Sequence, residues 1–450
     1  MGTHVSPPED ARVHWQGPTT TRRVLSVWWP LAGSWLLMGL EMPAFVAAAS
    51  RLPDAETNLA AFNSLVYPIS MVVEGPIVML LAASTALVRD RRSYDQLRRF
   101  TITAGLALTL VHAIVAFTPI YDWIARDLID VSEAALEPGR LGLRIMLPWS
   151  GAIAFRRFQQ GVLIRYGRPR AVVVGTIVRL VSVSGVLLVG VAHGAIHGVV
   201  VGASAIATGV IAEAVFASWA TRRVLREDVP SSGSEHEPLT ARGFLAFYVP
   251  LALTPLMTLA LQPITAAALW RMPDALRSSA SWSAVYGFVF LFRALGFAFQ
   301  EVTVSLLHTE DGARALRRFA TILGLSATAI FVVFACTPLA SVWFEHALAL
   351  PPPLALLARA ALPLGAMMPL LATLQNHCQG RLVATRRTRA ITEAVVLYVA
   401  TACLLFVLAT TWWPHAGIHA ALLVLAAAGS VQLGWLWLQA RATAGIITPT

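Results

Sequence analysis

The chain carries one register of residues twice. Pro30, Pro43, Arg51, Pro53, Asp54 and Ala55 recur 220 positions later as Pro250, Pro263, Arg271, Pro273, Asp274 and Ala275. At an offset of 219, Leu97-Arg98-Arg99-Phe100 returns as Leu316-Arg317-Arg318-Phe319, Thr118-Pro119 as Thr337-Pro338, Gln160-Gly161 as Gln379-Gly380, and Arg170-Ala171 as Arg389-Ala390. His193 and His197 match His415 and His419 at 222. Composition alone does not hold a register over such a length, so the chain reads as a duplicated unit.

Both copies are apolar enough to sit in a bilayer. Hydrophobic residues make up 57% of the chain and charged residues 13%, against about 45–50% and about 25% in soluble domains. Twelve apolar segments, spans 1 to 12, lie near 25–50, 58–88, 101–118, 141–166, 171–192, 196–221, 244–269, 278–307, 320–340, 354–379, 390–411 and 416–440. Each is long enough to approach or cross about 30 Å of hydrocarbon as a helix. They are apolar on all faces, which excludes the alternating strands of a barrel. An all-α polytopic membrane protein is expected, with two six-helix bundles at 23–221 and 240–445. Six is even, so the copies share one orientation, related by a pseudo-twofold axis along the membrane normal. Residues 1–22 form a polar lead-in without a hydrophobic signal core, and 222–239 has the composition of a linker.

The net charge of +10 is carried by Arg alone, since the chain has no Lys. It alternates between loops. Loop 89–100 has five Arg against Asp90 and Asp95, whereas 120–139 has five acids against Arg126. That is the positive-inside pattern, and it predicts cytoplasmic termini rather than a nucleic-acid partner. Cys336, Cys378 and Cys403 lack zinc-ligand spacing, so they read as small apolar core residues. Neither a metal nor an organic cofactor is expected. Trp28, Trp29, Trp412 and Trp413 read as interfacial belts.

Ionisable groups at bilayer depth are costly and are functional candidates by default. Glu74 and Arg293 each lie about sixteen residues, or about 24 Å of helix, into the equivalent spans 2 and 8. They either act in transport across a central cleft or form a structural pair. Glu41, two residues before Pro43, is a second acid suited to ion coupling, or else bonds backbone that Pro43 frees. Arg179 and Glu213 sit at matched depth in spans 5 and 6 and are expected to form an internal ion pair. Arg156, Arg157, Gln159 and Gln160 form the densest polar patch, either a forked anion site or an Arg pair reaching the interface. Gln375 and Asn376 repeat its polar character in span 10. Pro43 and Pro263 are hinge candidates at matched depth. His112 reads as a packed core histidine or, less simply, a proton carrier, and Gln300, Glu301 and Glu393 as solvated positions.

The stretch Glu74–Tyr94 (EGPIVMLLAASTALVRDRRSY) and the stretch Arg156–Gly167 (RRFQQGVLIRYG) resemble bacterial relatives of the progressive ankylosis family and of the multidrug and toxic compound extrusion (MATE) proteins. The resemblance extends over residues 24–440 and is moderately specific. Both families belong to an exporter superfamily that also includes lipid-linked oligosaccharide flippases. The resemblance implies a V-shaped pair of bundles alternating between inward- and outward-open states, driven by H⁺ or Na⁺. It implies an acid for coupling in the first bundle, here Glu41 or Glu74; Glu41 stands where Asp is frequent in span 1. Ankylosis-type members are associated with export of pyrophosphate, citrate or nucleotides. Arg156, Arg157 and Arg293 suit such anions better than the cationic drugs of extrusion proteins.

The leading expectation is therefore a monomeric secondary exporter, an antiporter for efflux of small molecules. A flippase for an amphipathic, lipid-linked substrate is the alternative. A membrane enzyme is disfavoured by the absence of nucleophile, metal-ligand and phosphate-loop motifs. A non-transporting scaffold would leave the duplication without a purpose.

Overall fold

A segment in hydrocarbon has no water to bond its amides, so apolar runs of this length close their hydrogen bonds internally as helices. A computed structural model describes residues 19–230, 241–307, 309 and 311–442, and among them there is no strand. Span 1 comprises Thr21–Gly39 and Glu41–Ala49; span 2 runs in short pieces from Ala55–Ala61 to Leu80–Leu87; span 3 is Arg91–Phe117. Span 4 comprises Glu133–Ile145 and Leu147–Arg165, span 5 is Pro169–His193 and span 6 is Gly198–Glu227. In the second copy, spans 7, 8 and 9 are Ala241–Trp270, Ala275–Leu306 and Gly312–Cys336. Span 10 runs from Pro352–Ala361 to Met368–Ala384, and spans 11 and 12 are Arg389–Trp412 and Gly417–Arg441.

Among the described residues ten helices are long and apolar enough to cross a membrane, or eleven with the 43° bend of span 10 counted as one crossing. Span 4 takes the twelfth place. Glu133, Glu137, Arg140, Arg144, Arg156, Arg157 and Arg165 lower its hydropathy. Exposed apolar side chains such as Leu188, Val189 and Trp412 line the outer faces, as lipid requires. Two sequence expectations change here. Trp28 is buried, its indole N–H donating to Leu295 O at 2.9 Å, so it joins span 1 to span 8 rather than belonging to a belt. Cys336 is exposed rather than in the core.

The duplication is written in the backbone. Left-handed conformations recur at Asp54 and Asp274, at Asp130 and Ala349, and at Gly167 and Arg386. Spans 3 and 9 both end at an extended threonine, Thr118 or Thr337, followed by Pro and a π-helical turn, Trp123–Ile129 or Val342–Ala347. Spans 4 and 10 break at equivalent depth, at Met146 and at 362–367.

The departures from symmetry are local. Span 1 breaks at Leu40, one turn before Pro43, where the missing proline N–H leaves Gly39 O without its helical donor. Span 7 instead runs as one helix through Pro263, so the two prolines are not matched hinges. Span 2 is interrupted at Gly75–Ile77 while span 8 is continuous. The expected linker also starts later, because span 6 stays helical through Arg222–Glu227. Its remainder at 231–240, like residues 1–18, lies outside the described residues.

The halves meet through spans 1 and 8, 2 and 7, and 2 and 8. Asn63 donates to Ser279 O at 2.9 Å, Trp270 to Ser64 Oγ at 2.7 Å and Tyr248 to Pro76 O at 2.6 Å. Within each half the repeated Gln-Gly step permits close approach. A Cβ on Gly161 would strike Ser84 and Leu81 O of span 2, and one on Gly380 would lie 2.8 Å from Gln300 O of span 8. Gly161→Ala and Gly380→Ala should each cost about 1–3 kcal/mol by overpacking and lower the melting temperature in detergent. Gly33→Ala, where a Cβ meets nothing within 4 Å, should not.

Candidate functional site

The first half holds a cluster of buried charge. Glu213 Oε2 pairs with Arg156 at 2.6 Å, and Oε1 accepts from Gln160 at 2.8 Å. Glu41 pairs with Arg179, whose second guanidinium nitrogen lies 3.9 Å from Glu213. Glu74 is buried, and among the described residues its carboxylate accepts no hydrogen bond; Arg157 and Arg156 are the arginine charges that act on it. Arg157 in turn feels both Glu74 and Glu213. Three acids thus face three arginines and the formal charge cancels. That balance is what burial demands, since each unpaired ion would cost several kcal/mol.

Local sequence places these groups. Glu41 opens the second piece of span 1 and Glu74 closes a helical piece of span 2 before Gly75 and Pro76. Both coupling candidates therefore sit at helix breaks. Arg156 and Gln160, at i and i+4, converge on one carboxylate, and Gln159 donates to Tyr94 Oη at 3.3 Å.

Several sequence expectations are corrected by this geometry. Arg179 and Glu213 do pair, at 3.9 Å, but as part of a larger network rather than as an isolated pair: Arg179 binds Glu41 and Glu213 binds Arg156 more closely. Arg156, Arg157, Gln159 and Gln160 lie inside the first bundle and do not line the cavity described below. Glu74 and Arg293 are not brought together, because Arg293 faces that cavity and Glu74 does not. Between them stand Tyr67, within electrostatic reach of Glu74 and Tyr286, and Tyr286 itself, which Arg293 contacts. His112 is a satisfied core residue. Its Nε2–H donates to Leu143 O at 3.0 Å, which leaves Nδ1 to accept from Ser150 at 2.9 Å.

The cavity, of about 1220 Å³, lies almost wholly within the second half; Trp35 and Met79 are the first half's contribution. Its walls come from spans 7, 8, 10, 11 and 12, and it reaches Thr388, Arg389 and Thr392 at the arginine-rich end. Arg293 is central. It donates to Tyr286 Oη at 2.6 Å and lies over the rings of Tyr286 and Phe297 at 5.7 and 5.5 Å. Among the described residues it makes no ion pair. Glu301 also lines the cavity, eight residues or about 12 Å further along span 8, and Arg389 at the mouth is held by Glu393 at 3.0 Å.

Gln375 and Asn376 line the wall, although their amides are partly spent on Gly429 O and Ala372 O. Gln300 and Glu301 line it as well, rather than being merely solvated. Sequence reasoning missed Trp282, Tyr286, Phe297 and Tyr398. The signal was present, because Trp282, Tyr286, Arg293 and Phe297 stand at i, i+4, i+11 and i+15, one stripe of a continuous helix. Trp282 and Tyr286 stack at 5.0 Å.

The described residues form two pseudo-symmetric bundles, with a cavity open to one end and ionisable groups within apolar helices. No family model matches the sequence. An inward-facing multidrug resistance MATE family transporter of the MOP superfamily is similar over 95% of this chain and 99% of its own, with a TM-score of 0.72 at 13% identity. A MOP superfamily transporter from Pyrococcus furiosus, reported with a binding pocket of reverse polarity, covers 97% and 100% at TM-score 0.65 and 13% identity. The lipid II flippase MurJ, inward closed, covers 91% and 87% at TM-score 0.67 and 12% identity. The chain has the MATE-like fold.

Pairing in the cluster can be read by charge exchange. Glu41→Arg with Arg179→Glu should recover most of the folded yield lost in either single variant. Exchanging Arg179 with Glu213 should not, since it strands Arg156 beside a new cation at a cost of about 3–5 kcal/mol. Yield and melting temperature by size exclusion decide between them.

Proposed function

We propose that the protein is a secondary active exporter of anionic, amphipathic small molecules, working by alternating access in a bacterial inner membrane. The observation that carries this reading is Arg293, a guanidinium without a carboxylate partner among the described residues, in an aromatic-walled cavity at bilayer depth. A fixed cation in a low-dielectric wall attracts an anion and repels a cation. Tyr286, Phe297 and Trp282 offer faces for an apolar or aromatic body. The arginine-rich end is assigned to the cytoplasm by the positive-inside pattern, so the cavity opens inward. The TM-score of 0.72 against an inward-facing transporter, compared with 0.60 against an outward-facing one, supports that state.

In this reading the neutral cluster of the first half is the coupling site, with H⁺ or Na⁺ as the driving ion. Glu74 is its loading group, because within this cluster its carboxylate accepts no hydrogen bond from a described residue, while Glu41 and Glu213 are bound to arginines. Glu41 takes part through Arg179. The transporter acts as a monomer. A flippase of amphipathic anions is the second reading, favoured by the likeness to MurJ, and needs the same Arg293.

In proteoliposomes with an imposed pH or sodium gradient, flux of an anionic dye or nucleotide should exceed that of a cationic dye. Arg293→Gln should weaken anionic substrates about 10–100-fold, the loss of a charge-assisted bond of about 1.5–3 kcal/mol, and Arg293→Lys should retain part of the transport. Equal losses for anions and cations would remove Arg293 from substrate selection. Glu74→Gln should abolish gradient-driven flux while folded yield stays near that of the parent. Normal flux per folded molecule would make Glu74 a structural group.

A further inference from the structure

The repeated Arg-x-Pro-Asp-Ala motif has no part in the transport reading above, yet its arginines make matched contacts in the two halves. Arg51 follows the end of span 1 and donates from one nitrogen to Ala47 O of that span at 2.5 Å. Its other terminal nitrogen crosses to the second half and donates to His346 O at 3.3 Å and Ala347 O at 3.2 Å. Arg271 follows the end of span 7 and donates to Ala267 O of its own span at 3.2 Å. Its other nitrogen crosses to the first half and donates to Asp127 O at 3.4 Å and Leu128 O at 2.7 Å. Donors and own-span acceptors are 220 residues apart, and the cross-half acceptors 219. Every contact therefore has its symmetry mate.

The chemistry explains the choice of residue. His346 and Ala347 end the turn Val342–Ala347, and Asp127 and Leu128 lie in the last turn of Trp123–Ile129. These carbonyls are at the C-terminal end of their turns, where intrahelical donors run out and the helix dipole is negative. Ala47 O and Ala267 O are likewise near the ends of spans 1 and 7. Each guanidinium thus bridges two negative helix ends, one from each half, with a fork that an ammonium lacks. Among the described residues neither arginine has a carboxylate partner, so the contact with the opposite half is not an incidental ion pair.

We propose that Arg51 and Arg271 are a reciprocal latch that holds the two bundles together at the end opposite the cavity mouth. Both must release before that end can part, so the latch sets the balance between the two access states. Its acceptors are peptide carbonyls, which do not titrate. The latch therefore acts independently of the carboxylates in the first half.

The test reads conformation rather than flux, so it stands or falls separately from the transport proposal. In a background with the three cysteines replaced by Ala, spin labels are placed at Ile120→Cys and Leu339→Cys. These positions are repeat-equivalent, exposed at 43% and 49%, and outside the latch. Pulsed dipolar spectroscopy in nanodiscs should give one short separation for the parent. Arg51→Ala with Arg271→Ala should move at least a tenfold larger share of molecules to a longer separation, with either single variant between. An unchanged distribution in the double variant overturns the proposal. If the double variant does not fold, Arg51→Lys with Arg271→Lys, which keeps the charge but loses the fork, must show the same shift to a smaller extent. A parent-like distribution there is equally fatal.

Discussion

A bilayer gives a buried charge no water to fall back on, and that constraint organises this molecule. Arg156, Arg157 and Arg179 could not stand in the first bundle without Glu41, Glu74 and Glu213. The six groups come from five different spans, so the charge balance is a tertiary property and ties spans 1, 2, 4, 5 and 6 into one body. The helix breaks at Leu40 and at Gly75 then acquire a reason. Each places an acid at the end of a helical piece, where the chain can turn its carboxylate toward arginines on neighbouring spans. Apolar packing alone would favour unbroken helices, as the second half has at the same positions.

The second half lacks this balance. Span 8 carries Arg293 where span 2 carries Val73, with Glu74 mapping to Ala294. Aromatic rings and a tyrosine hydroxyl, not a carboxylate, surround the cation. Rings and hydroxyls moderate a guanidinium but do not neutralise it. Two copies of one architecture have thus been given opposite chemistry, a closed neutral cluster in one and an open cationic cavity in the other. The tyrosines Tyr67 and Tyr286 lie where the two regions approach each other across the interface between halves.

The architecture was legible because its signals are strong and local. Runs of apolar residues, arginines in alternate loops and a register held over many residues each follow from what lipid permits. Even Arg51-x-Pro-Asp-Ala and its copy marked real backbone features, the left-handed Asp54 and Asp274. Partnerships among the charged residues were not legible in the same way. Depth along a helix can be counted, and Arg179 and Glu213 were placed at one level on that basis. Rotation about the helix axis cannot be counted, and rotation decides that Arg179 meets Glu41 while Glu213 meets Arg156. For the same reason Glu74 and Arg293 share a level but not a cavity. The aromatic stripe of span 8 carries no charge to mark it in an apolar run, although its spacing alone defines a face.

Symmetry and its loss have separate uses here. The contacts that stay symmetrical, Arg51 and Arg271 on opposite turns, lie between the halves at one end, where the rocking motion of the proposed mechanism would treat both halves alike. The groups that have diverged lie within the halves, where the first half holds a buried charge cluster and the second a cavity lined by Arg293. A motion shared by two bundles needs matched contacts at their boundary, since an unmatched one would load one side of the hinge more than the other. On the proposed reading, binding and coupling need the reverse, because an anion site and a cation-loading site cannot be built from the same side chains. The duplication supplies the first requirement, and substitution at a few buried positions, Glu41, Glu74, Glu213 and Arg293 above all, supplies the second without disturbing the frame that the apolar spans maintain.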